Sequence, residues 1–185
     1  MKSTVLDKYR DSLAHALGSI PLETVESIVD LLENARDQSK RVFIIGNGGS
    51  AATASHMVCD LSKSTLRPGK PRLRVVPFTD NVPLITAWAN DTGYENIFTE
   101  QLESLAQPGD VLIALSGSGN SENIIRAVRR AKEMPLKTVG LTGFQGGALK
   151  DAVELCIVVN STNYGQIEDV HHSIGHMMAE ALAER

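Results

Sequence analysis

The stretch VLIALSGSGNSENIIRAVRRAKE, residues 111–133, decides the fold. Its opening run, Val111 to Leu115, is uniformly apolar, as in a strand buried on both faces, and residues 122–133 repeat their apolar positions at helical spacing. Between them lies SGSGNS, residues 116–121, with two glycines, three serines and no lysine. A strand that enters a helix through so short a turn is half of a parallel β–α–β unit.

The same alternation continues outward. Further strands are predicted over 41–45, 73–77, 138–141 and 155–159, and helices over 50–61, 82–88, 95–105, 147–152 and 164–184. Four of the five strands are too uniformly apolar for a solvated face, which predicts a five-stranded parallel sheet covered on both sides. The expected fold is one doubly wound, Rossmann-like α/β domain spanning 1–185, with a helical pair (1–38) ahead of the core (39–185). Residues 66–71, with Pro68, Gly69 and Pro71, read as a loop. In the leading pair, Leu6, Tyr9, Leu13 and Leu17, then Val25, Ile28, Val29 and Leu32, form apolar stripes. These either cover the sheet or pack against another subunit, so a homo-oligomer is expected.

Composition excludes some classes. The 18 Lys and Arg are scattered and the net charge is −4, which argues against a nucleic-acid surface. The N-terminal stretch has no apolar h-region and no segment approaches 18 apolar residues in a row, so neither a signal peptide nor a membrane span is expected. The two cysteines, Cys59 and Cys156, have apolar neighbours and are expected as buried, reduced thiols of a cytoplasmic protein.

In an open parallel sheet, ligands bind beyond the carboxyl ends of the strands, and two loops there are rich in glycine. GNGGSA, residues 46–51, formally satisfies a dinucleotide fingerprint, but no acidic residue closes the second strand at the required spacing. The second loop is more informative. Ser116, Ser118 and Ser121 offer hydroxyls, Gly117 and Gly119 let the backbone approach, and the following helix presents free N–H groups. This is a cradle for a phosphate monoester, and without a P-loop lysine it suits binding a phosphate rather than transferring it. The plainer reading is that Asn120 or Ser121 caps the helix.

A second constellation lies on two helices. His56 and Asp60, four residues apart, share one helix face next to Met57, Val58 and Leu61, which suggests partial burial. On the last helix Glu168, His172 and His176 form a four-residue ladder that drifts only about 80°. Three of the five histidines fall within 171–176, and imidazole with carboxylate suits zinc or another divalent first-row metal. Gln166 and Asp169 compete as ligands. The bland alternative puts His171 and His172 on a solvated face and His176 in the core.

Taken in order, GNGGSA, H-x-x-x-[DE]-L, WANDTGYENIF, S-x-SGNS and E-D-V-H…H resemble the sugar isomerase (SIS) domain family, and within it the phosphoheptose isomerases, from about residue 3 to residue 183. The resemblance implies an aldose–ketose isomerase that turns sedoheptulose 7-phosphate into a heptose 7-phosphate, and a homotetramer with sites at subunit interfaces. It implies phosphate contacts at Ser116, Ser118 and Ser121, with Gly117 where threonine is usual. Sugar contacts are implied at Asn47, Gly48 and Gly49, and substrate-facing roles at Asn90 and Asp91. A zinc site is implied at His56, Asp60, Glu168 and His176, with Asp60 as base and His176 as its partner. Asp60 replaces a glutamate, shortening the reach by about 1.5 Å, and Glu168 replaces a glutamine. The competing class is a SIS adaptor without catalysis, like those that bind the bacterial replication initiator.

Overall fold

The structure, a computed structural model, describes residues 4–185; residues 1–3 of the expected domain lie outside the described residues. Five strands, β1 (Arg41–Gly46), β2 (Arg74–Pro77), β3 (Val111–Ser116), β4 (Lys137–Thr142) and β5 (Leu155–Val158), pair in parallel in the order β2-β1-β3-β4-β5. From β1 the chain moves out to β2, then returns past β1 to β3, so the direction of winding reverses between β1 and β3. Gly46 is in register with Leu115, and both glycine-rich loops therefore leave the sheet side by side at that reversal, where such sheets open a crevice.

The helices are α1 (Thr4–Gly18), α2 (Leu22–Asp37), α3 (Gly49–Lys63), α4 (Val82–Asp91), α5 (Thr99–Leu105), α6 (Glu122–Glu133), α7 (Gly147–Ala152) and α8 (Tyr164–Glu184). Alternate strand residues divide the core into two layers. Val42, Ile44, Val111 and Ile113 pack under Leu32 of α2, Leu61 of α3 and Ile174 of α8. Phe43, Ile45, Leu112 and Ala114 face Leu102 of α5, Val128 of α6 and Leu149 of α7. Fully burying each such aliphatic side chain stabilises the fold by about 2 kcal/mol. α8 also lies against α3, and a Cβ on Gly175 would come 3.1 Å from Met57 Cε, so a glycine permits the close approach.

Three expectations are corrected. The helix expected over 95–105 divides into a 3-10 turn, Tyr94–Asn96, and α5. Ile97 and Phe98 are adjacent and both 1% exposed, whereas a continuous α-helix would turn neighbours about 100° apart. Breaking the helix lets both face inward. Secondly, β5 is mostly half-buried despite its apolar sequence, because it forms an edge of the sheet. Thirdly, Cys59 is exposed and Cys156 only half-buried. Cys59 lies between the buried Met57 and Leu61, two residues from each, and so on the far face of α3. Burial pushes the Cys156 thiol up to about 11. The leading helices differ: α2 buries Val25, Ile28, Val29 and Leu32, whereas α1 buries only Ala16 and exposes Val5 and Leu6. Among the described residues no helix is long and apolar enough to cross a membrane.

Candidate active site

At the carboxyl end of β3, residues 116–121 wrap a cleft lined by Ser116, Gly117, Ser118 and Ser121, with Asn47, Ser50, Tyr164 and Glu168 opposite. Ser116 Oγ accepts from the Gly119 N–H at 3.2 Å and lies 3.3 Å from Ser121 Oγ. Ser118 Oγ accepts from the Asn120 N–H at 3.2 Å, and Asn120 Oδ1 accepts from the Ala148 N–H at 2.9 Å, tying the loop to α7. Ser121 occupies the N-cap of α6 but makes no side-chain cap bond, which leaves its hydroxyl for a ligand. The N–H groups of Glu122 and Asn123 open α6 at the positive end of its dipole, while that of Ile124 already donates to the Ser121 carbonyl and to Asn123 Oδ1. Gly119 has φ +68°, and a Cβ there would collide with the Gly146 carbonyl, so only glycine fits. At Gly117 a Cβ would stand 3.0 Å from the Tyr164 ring, which fills the space a larger residue would use.

The two loops are joined through a buried amide. Asn123 Nδ2 donates to Asn47 Oδ1 at 2.8 Å, Asn47 Nδ2 donates back to Asn123 Oδ1 at 2.9 Å, and the Tyr94 hydroxyl donates to Asn47 Oδ1 at 2.9 Å. Sequence reasoning missed Asn123 and Tyr94. The signal for Asn123 was its place in the first turn of α6, where a polar residue that is 2% exposed needs a partner.

The second constellation forms where α3 meets α8. Asp60 Oδ2 lies 3.1 Å from His56 Nε2 and 3.2 Å from His176 Nε2, and these two nitrogens are 3.2 Å apart. Oδ2 is buried and has no hydrogen-bond donor. Three ligand atoms in a triangle, one of them an unsatisfied oxygen, fit a cation. A tetrahedral ion with bonds of about 2.0–2.1 Å sets its ligands about 3.3 Å apart, close to these separations. His172 joins them: its ring is centred 4.1 Å from that of His56 and 4.8 Å from that of His176, and the ligating nitrogens of the three histidines lie within 4.8 Å of one another. Burial, then the neighbouring His56 and His176, lowers the His172 pKa and favours the neutral ring.

Not every expected residue reaches these two places. Glu168 is outside the histidine group and lies over the start of α3, where a Cβ on Gly49 would collide with its carboxylate. There the helix dipole favours its charge. Gly48, with φ +54°, turns the chain into α3. Asn90 and Asp91 are exposed and hydrogen-bonded to each other at 2.8 Å, and neither lines the cleft. Of the competing ligands, Gln166 accepts from Ser161 at 2.8 Å and Asp169 from the Tyr9 hydroxyl at 2.7 Å. The bland reading of the histidines is reversed. His171 is fully buried with Nε2 3.3 Å from the Thr142 carbonyl, while His176 is exposed, because the phase of α8 puts His171 with Ile167, Ile174 and Met178.

A phosphate cradle at the reversal of a β2-β1-β3-β4-β5 sheet, with a histidine–aspartate cluster on the adjoining helices, defines a class of sugar-phosphate proteins. Residues 8–143 match the SIS domain family model, and the chain belongs to that family. Over 178 residues it is 35% identical to the probable phosphoheptose isomerase of Thermoplasma acidophilum, a match covering 96% of this chain and 97% of that protein. The solved structure of phosphoheptose isomerase GmhA from Neisseria gonorrhoeae superimposes with a TM-score of 0.90 at 26% identity, over 97% of each chain. A phosphoheptose isomerase from Francisella tularensis superimposes with a TM-score of 0.88 at 28% identity, again over 97% of each chain.

Proposed function

We propose that the chain is an aldose–ketose isomerase that converts sedoheptulose 7-phosphate to D-glycero-D-manno-heptose 7-phosphate. One observation carries this beyond the likeness to phosphoheptose isomerases: the cleft and the cluster lie along the same helix, a substrate's length apart. From Gly49, beside the cleft, to His56, α3 rises about 10 Å. An extended chain advances about 1.2 Å per bond, so the eight bonds from phosphorus to C1 of a seven-carbon sugar phosphate span about 10 Å. With the phosphate in the serine loop, C1 and C2 reach the histidines, and Glu168 lies between as an acceptor for sugar hydroxyls.

The chemistry moves one proton between carbons and one between oxygens. Asp60 takes the proton from C1 and returns it to C2, and His176 transfers the other from O1 to O2. Ser116, Ser118 and Ser121 anchor the remote phosphate, and that binding energy orients the reacting carbons. We assign the cation site to zinc, one per site, held by His56, Asp60 and His176. When bound it would supply positive charge that stabilises the enediolate.

The enzyme is proposed to work in the cytoplasm as a homotetramer with active sites at subunit interfaces. The exposed Val5 and Leu6 of α1, and Asn90 and Asp91 standing outside the cleft of their own chain, support a second subunit at the site. The test is NMR in deuterated water with sedoheptulose 7-phosphate. An aldose signal is expected, with deuterium at C2 to the extent that Asp60 exchanges its proton with solvent, and the absence of both aldose and exchange would overturn the assignment in favour of a non-catalytic adaptor.

A further inference from the structure

The proposed metal site leaves one donor open to choice, and α8 offers two candidates one turn apart. Glu168 and His172 precede His176 by eight and four residues, so helical phase alone admits either. The tertiary structure separates them. The Glu168 carboxylate sits over the Gly49 backbone at the start of α3, lining the same cleft as Ser116, Ser118 and Ser121. His172, in contrast, faces both His56 and His176, with rings centred 4.1 and 4.8 Å away. Its nitrogen completes a three-histidine group whose ligating atoms lie within 4.8 Å of one another, and two of the three, His56 and His176, flank the buried, undonated Oδ2 of Asp60 at 3.1 and 3.2 Å.

We infer that in this chain His172 is a metal ligand, giving a shell of His56, Asp60, His172 and His176, and that Glu168 is released from the metal to the sugar. Three imidazoles and one carboxylate form a donor set that zinc and cobalt(II) both accept. Such a site keeps one more positive charge than one in which Glu168 replaces His172, and it can expand to five-coordinate when a substrate oxygen enters. Glu168 gains in turn: its charge is stabilised by the α3 N-terminus, and both of its oxygens remain acceptors for hydroxyl groups on the middle of the sugar.

The inference rests on the metal assignment above, and its test separates the two. Metal-free wild-type protein and the variants His172→Ala, His172→Gln and Glu168→Gln are titrated with cobalt(II) and with zinc against a chromophoric chelator, and the visible spectrum of each cobalt form is recorded. Both His172 variants should bind each ion at least about tenfold more weakly, with a changed cobalt spectrum. Glu168→Gln should keep the wild-type metal affinity and spectrum while raising KM for sedoheptulose 7-phosphate. If Glu168→Gln loses the metal and the His172 variants keep it, the inference is overturned. A wild-type protein that isomerises the sugar yet binds no stoichiometric ion also overturns it and leaves the isomerase standing. Cobalt held through His172 without turnover supports the ligand set and overturns the activity instead.

Discussion

In the cleft, three serines and two glycines fall within residues 116–121, and the turn from β3 into α6 fixes where their hydroxyls stand. In the cluster, His56 and His176 are 120 residues apart and meet only because two helices cross. The cleft is held by backbone, by the N–H of Gly119 on Ser116 and by the Asn47–Asn123 amide pair. The cluster is held by helix phase, with Gly175 against Met57 setting the depth of approach. Binding can therefore be altered within one loop, whereas the cluster's geometry depends on core packing on both sides of the crossing.

If cleft and cluster are separate devices, removing the proposed base should damage turnover and leave binding alone. Asp60→Asn is expected to lower kcat by about 10³-fold, or about 4 kcal/mol of transition-state stabilisation, with KM for the sugar phosphate changed far less. Steady-state kinetics at saturating substrate decides this. Equal losses in kcat and in phosphate affinity would mean that the two regions act as one.

The cluster's support makes a second contrast, because His171 anchors α8 to β4 from inside the core while its neighbour His172 looks outward. Burial lowers the His171 pKa to about 4, although the Thr142 carbonyl opposes the shift. A folded-state pKa below the ordinary 6.5 means that the unfolded chain binds the proton first. The stabilisation is complete above pH 6.5 and is lost as pH falls towards 4, by about 3 kcal/mol in all. Denaturant unfolding at pH 7 and pH 4.5, at fixed protein concentration, should show this loss, and His171→Phe should show a correspondingly smaller one. An unchanged pH dependence in the variant would mean that His171 does not carry it.

The same contrast governs what the sequence made legible. Strand, loop and helix around residues 111–133 are read from neighbours, so the parallel sheet and the serine cradle followed directly. Helical spacing puts His171 in phase with Ile167, Ile174 and Met178 and His172 with Glu168, Asp169 and His176, so the inward turn of His171 was legible; that His172 meets His56 was not, because only the packing of α8 on α3 brings them together. Glu168 and His172 are equivalent in spacing until Gly49 opens a place for the carboxylate. Tyr94 reaches Asn47 across 47 residues through a 3-10 turn that periodicity read as ordinary helix.

Within the cleft, two smaller substitutions separate backbone shape from hydroxyl chemistry. Gly119→Ala places a methyl group against the Gly146 carbonyl at φ +68° and should reshape the whole loop, raising KM by about tenfold or more while kcat falls much less. Ser118→Ala keeps the turn, because the half-buried Ser118 contributes only its Oγ contact with the Asn120 N–H to the loop's internal bonds through that hydroxyl. Losing one hydroxyl to a charged phosphate should cost about 1.5 kcal/mol, close to a tenfold rise in KM, with no change in protein stability beyond about 1 kcal/mol. Measured together by kinetics and unfolding, the pair tests the premise that backbone fixes this site. If Ser118→Ala were the more damaging to substrate binding, the hydroxyls would be positioning the phosphate and the glycines merely turning the chain.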